Sequence, residues 1–149
     1  MSERRFCTFY VDRLLLGIAI ELVEEVLRGQ TITPVPLAHP DVAGLLNLRG
    51  QIVTAIDARR RLGLADRTNE CVEGDRQTAA TVVVIRCGAE AVSLLVDRVG
   101  DVVEVADDLF FDVPVTVSAT IGALTTGAYK LHGDLMLVLD PDETLAVAS

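Results

Sequence analysis

The sequence predicts a mainly β chain: two small five-stranded barrels packed together, with short helices. Two observations carry that prediction. Apolar residues make up 50% of the 149 residues, supplied by Val, Leu, Ile and Ala with few aromatics and no Trp, and abundant Val favours strands. The chain also repeats itself. "LRGQIVTAIDARRRL" from Leu48 lies over "LHGDLMLVLDPDETL" from Leu131, an offset of 83 that matches Gly50 with Gly133, Asp57 with Asp140 and Leu62 with Leu145. Gly44 falls on Gly127 at the same offset. "LGIAIELVEEV" from Leu16 lies over "VSLLVDRVGDV" from Val92, an offset of 76 that brings Ile18 onto Leu94, Val23 onto Val99 and Val26 onto Val102.

Each copy reads as strand, strand, short turn, strand, connection, glycine-led strand, hairpin and strand. The expected strands are 6–11, 14–20, 23–27, 45–48 and 52–56, then 81–86, 91–96, 102–105, 127–131 and 135–139. Five short strands in ~65 residues suit a closed barrel, which hides its edges. A unit that small is marginal alone, so the two are expected to share a core. The division expected is a single domain over 6–145, with a first barrel over 6–64, a linker over 65–80 carried by the polar run "ADRTNECVEGDRQTA", and a second barrel over 81–145. Each half should end in a helical turn or two. Asp140 before Pro141 is a helix start, an N-cap acceptor followed by proline at the first helical position. Asp57 is expected to cap in the same way, which makes both aspartates caps, not catalytic carboxylates.

Charge and motifs narrow the function. The net charge is −9, which repels duplex nucleic acid and anionic membrane. No run approaches the ~18 apolar residues of a membrane span, and "MSERRFCTFYVD" has no signal-peptide pattern. The three cysteines, Cys7, Cys71 and Cys87, fit no zinc spacing; Cys7 and Cys87 lie in apolar runs and are expected as buried thiols in a reducing cytosol. GxSxG, GxxxxGK[ST], HExxH and GxGxxG are all absent. His39 and His132 read as turn residues, Asp107–Asp108 as a solvated turn, and Arg59–Arg61 as a solvated face pairing with nearby acids. The expectation is a binding scaffold, not an enzyme, with no cofactor and no metal.

Arg49 is the residue that stands out. It sits between Leu48 and Gly50, at the mouth of an apolar run. Its repeat equivalent is His132, and Asn47 faces Lys130, so the hairpin does not demand arginine; Gly50 and Gly133 supply the backbone freedom. Two roles stay open: a local salt bridge to an acid such as Glu25, or a planar guanidinium presented to a partner.

Four segments together resemble the CheW-like domain family: "FCTFYVDRLLLGIAIELVEEVL", "PLAHPDVAGLLNLRGQIVTAIDARRRLGL", "VSLLVDRVGDVVEV" and "TGAYKLHGDLMLVLDPDETL". The most specific element is "GLLNLRGQIV" with its following "ID". The resemblance implies two SH3-like five-stranded barrels around a shared core. It also implies a non-enzymatic cytoplasmic adaptor that couples the cytoplasmic tip of a chemoreceptor (a methyl-accepting chemotaxis protein) to a CheA-type histidine kinase, barrel end against barrel end. By the same resemblance, Val23, Glu25, Arg49, Val99 and Val102 would form the receptor-binding surface, in a groove between related edges of the two barrels. The alternative is a regulator of the same fold that serves a non-motility pathway or another partner.

Overall fold

The computed structural model describes residues 3–64, 80–114, 117–131 and 133–146. Among these residues ten strands follow in order: β1 (Glu3–Val11), β2 (Leu14–Ala19), β3 (Val23–Gln30), β4 (Val42–Leu48), β5 (Gln51–Asp57), β6 (Ala80–Cys87), β7 (Glu90–Val96), β8 (Arg98–Ala106), β9 (Thr125–Leu131) and β10 (Asp134–Leu139). Among the described residues three short helices punctuate them: α1 (Ala58–Arg61), α2 (Ala119–Ala123) and α3 (Pro141–Thr144). Every expected strand is present. The largest extension is β8, which begins four residues early because Val99 and Arg98 stay paired with Phe9 and Tyr10 beyond a register shift at Thr8; there Gly100 leaves room, since an added Cβ would stand 2.5 Å from the Thr8 hydroxyl. The linker expected over 65–80 lies outside the described residues, apart from Ala80 at the start of β6.

The strands form two five-stranded sheets, ordered β8-β1-β2-β10-β9 and β3-β6-β7-β5-β4. This departs from the division into a barrel over 6–64 and another over 81–145. Each sheet instead joins the first two strands of one half to the last three of the other. The reason is at the junctions. A single 3-10 turn, Ile20–Leu22, separates β2 from β3, and Asp97 alone separates β7 from β8. Neither junction reverses the chain into a hairpin: Val23, just past the first, pairs with Ile85 of β6, and Arg98, just past the second, pairs with Tyr10 of β1, so the chain runs on across the joint.

The duplication survives the exchange at the level of register. Val26 pairs with Val83 in one sheet, and their repeat equivalents Val102 and Cys7 pair in the other. Thr54 lies opposite Val92 in the parallel β5–β7 pair, and their equivalents Leu137 and Leu16 lie opposite each other in β10–β2. Each sheet closes on itself through an isolated bridge: Thr33 to Leu45 in one and Phe111 to Ala128 in the other.

Strand alternation sends apolar side chains to two destinations. On β6, Val82 and Val84 pack inside their own barrel with Leu46, while Val83 and Ile85 enter the cluster between the barrels. On β10, Met136 and Val138 meet Phe6, Leu15, Val105 and Tyr129 inside the other barrel, while Leu137 and Leu139 face the joint. That joint is the largest cluster, drawing Phe9, Leu16 and Ile18 from one sheet and Ile56 and Leu94 from the other. Both faces of these strands are therefore buried, which is why "TVVVI" and "LMLVL" read as continuous apolar runs.

Candidate functional site

The β4–β5 hairpin turns in two residues, Arg49 and Gly50, between the paired Leu48 and Gln51. Both take positive φ, +52° and +88°, as a two-residue primed turn requires. The Gly50 amide donates to the Asn47 side-chain oxygen at 3.0 Å, which fixes the turn. Arginine is an unusual choice there, since the left-handed region penalises a Cβ. The turn aims the guanidinium back over β3. Its Nη1 and Nη2 donate to the two carboxylate oxygens of Glu25 at 2.5 and 2.6 Å, a bidentate fork. That hydrogen-bonded carboxylate, with its charge, raises the Arg49 pKa above the usual guanidinium range.

The pair is lopsided. Glu25 is 20% exposed and Arg49 73% exposed, so the acid is seated and the arginine stands out into solvent. Of the two roles left open by the sequence, the salt bridge forms, and the guanidinium that makes it remains exposed. Beside it, Arg86 Nη2 donates to Glu24 Oε1 at 2.7 Å. The two ion pairs line a hollow of about 360 Å³ with Leu48, Gln51 and Ala91.

The valines divide. Val23 on β3 and Val99 on β8 are both partly buried against the cluster between the barrels, each just beyond one of the two crossings. Val102 is 56% exposed on β8. The structure therefore brings Glu25 and Arg49 into contact and sets Val23 and Val99 at the joint, while Val102 stands in the open.

Other expected roles resolve as follows. The Asp57 carboxylate accepts from the Arg59 and Arg60 amides, and that of Asp140 from the Asp142 and Glu143 amides, so both are helix caps. His39 is an exposed turn residue whose Nδ1 accepts from the Asp41 amide; His132 lies outside the described residues. Cys7 is buried, and that burial pushes its thiol pKa up; Cys87 is only partly buried, its sulfur 3.9 Å from Asp142. Cys71 lies outside the described residues. The pairing with acids expected at Arg59–Arg61 is present, from Arg59 to Asp97, Arg60 to Asp57 and Arg61 to Asp41, but the solvated face is corrected. Arg60 is exposed, but Arg59 reaches Asp97 at 2.6 Å, and Arg61 donates to the Glu143 and Thr144 carbonyls of α3. These arginines sit at the end of β5, where the joint brings the other barrel's backbone and acids within reach. Among the described residues no three His, Cys, Asp or Glu side chains gather as a metal site, and no helix is long and apolar enough to cross a membrane.

The sequence profile described as the CheW-like domain matches residues 5–149. The chain belongs to the CheW-like domain family. A chemotaxis protein CheW of Thermotoga maritima is 29% identical over 145 residues, covering 97% of this chain and 89% of that one. A chemotaxis protein CheW of Treponema pallidum is 26% identical over 139 residues, covering 93% and 80%. The crystal structure of the scaffolding protein TtCheW from Thermoanaerobacter tengcongensis superposes with a TM-score of 0.78 at 23% identity, over 93% of this chain and 90% of that one. That likeness shows the fold. In this chain the "NLRG" stretch carries β4 into the β4–β5 turn, and its arginine makes the fork on Glu25.

Proposed function

We propose that this CheW-like chain is a non-enzymatic scaffold of chemosensory signalling in the cytoplasm, coupling a chemoreceptor's cytoplasmic tip to a CheA-type histidine kinase. Its family membership and the chemotaxis names of its relatives support the setting. One observation carries the docking surface: an arginine held in a left-handed turn position, oriented by a seated glutamate, yet 73% exposed. A guanidinium fixed in this way loses less side-chain entropy when a partner meets it. Arg49 and Glu25 supply orientation, Val23 and Val99 supply an apolar floor, and the exposed Val102 adds area that a partner removes from water at about 25 cal/mol per Å².

The test is capture of a soluble receptor fragment carrying the cytoplasmic tip, alongside capture of the kinase. Arg49→Ala and Val99→Ala should weaken receptor capture and leave the circular dichroism spectrum unchanged. Full receptor capture by the double variant would remove these residues from the docking surface.

A further inference from the structure

We infer that Arg59 is a positioning residue for docking, acting through Asp97 to set where β8 begins; this rests on the docking surface proposed above. Asp97 is the single residue by which the chain crosses from β7 in one barrel to β8 in the other. Its carboxylate Oδ2 accepts from Arg59 Nη2 of α1 and from the Asp12 amide of the β1–β2 turn, both at 2.6 Å. Its own amide donates to the Tyr10 carbonyl at 3.0 Å. Arg59 also lies 3.8 Å from the Asp12 carboxylate. One acid thus ties together α1, the neighbouring barrel's first turn and the crossing itself. Two residues on, Val99 pairs with Phe9 and packs into the joint.

The pair is 13% and 19% exposed. Stability alone explains such a pair poorly, because desolvation offsets much of the attraction and apolar replacements of similar size serve a core as well. What an ion pair adds is a fixed geometry. The repeat supplies the comparison. At the other crossing the equivalent of Asp97 is Glu21, which is exposed, and the equivalent of Arg59 is Asp142. Two acids cannot make this contact, yet β2 still passes to β3. The fold therefore crosses the joint without the pair, and the chain spends it only at the crossing that leads into Val99 and Val102.

The test uses the full chain and a soluble chemoreceptor fragment carrying the cytoplasmic tip, with calorimetric affinity and melting temperature read side by side. Arg59→Met leaves Asp97 without its guanidinium and should lower both. Arg59→Met with Asp97→Leu replaces the pair by apolar side chains. It should melt near the wild type but bind roughly tenfold more weakly, about 1.4 kcal/mol. On a Val99→Ala background the same double substitution should cost little further affinity, because it acts through β8, whereas Arg49→Ala should still add its full effect. Wild-type affinity in the Arg59→Met, Asp97→Leu chain, with Arg49→Ala still weakened, overturns this inference and leaves the docking surface standing. A wild-type chain that does not bind the fragment overturns both.

Discussion

Gly44→Ala should open one barrel at its seam. A Cβ at Gly44 would overlap the Thr33 carbonyl oxygen and stand 2.7 Å from its carbon, and these atoms are backbone. At that spot Thr33 and Leu45 exchange two hydrogen bonds of 2.8 Å, the bridge that joins the end of β3 to β4. Losing two such bonds costs about 1–3 kcal/mol, and overpacking adds about 1–3. At roughly 2–4 °C per kcal/mol for a chain of this size, the melting temperature should fall by roughly 5–20 °C. The repeat provides the control. A Cβ at Gly127, the equivalent glycine, meets the Phe110 ring, with Cε1 at 2.6 Å. That ring is partly exposed and packs on Tyr129 at 5.2 Å. It can swing away, so Gly127→Ala should cost about 0.5–1.5 kcal/mol, the worth of the aromatic contact, and almost nothing once Phe110→Ala is present. Differential scanning calorimetry of the wild type, the three single variants and the Gly127→Ala, Phe110→Ala double variant decides it. A Gly44→Ala melting temperature within 2 °C of the wild type, taking about 2 °C as under 1 kcal/mol, would refute the seam argument.

Three further outcomes are expected. Residues 1–64 and 80–149 made separately should each lack a cooperative melt, and should regain one when mixed, because each sheet takes strands from both; a native melt from either piece alone would contradict the exchanged topology. Asp140→Ala removes the acceptor for two amides at the start of α3 and should lower stability by about 1 kcal/mol in urea. Burial raises the Cys7 pKa, so the unfolded thiol ionises first. Stability is then intact below about pH 8.5 and falls as pH rises through it, and Cys7→Ala should remove that share of the alkaline loss in urea titrations at pH 8–10.

Strands and caps were legible because they depend on local pattern. Alternation marks β6 and β10, and Asp140-Pro141 can hardly be read as anything but a helix start. Gly44 and Gly127 stood out as a repeat pair, although the sequence could not say that each makes room for a closing contact. The pairing of strands was not legible. A repeat states that two units are alike, and the same pattern suits strands pairing within a half or between halves. Helix α2 was missed too, although Ser118 caps it. In the site, the Arg49–Glu25 pair was anticipated from charge. The Arg59–Asp97 tie was not, because three arginines in a row look alike until the joint partly buries two of them and leaves Arg60 more exposed.

The most direct test is a charge exchange, Arg49→Glu with Glu25→Arg, assayed by titrating the receptor fragment. The swapped chain keeps an ion pair between the same turn and β3, so a purely structural contact survives it. If Arg49 is the docking handle, the swapped chain should fold and melt like the wild type yet fail to take up the fragment. Undiminished uptake by the swapped chain would contradict the account.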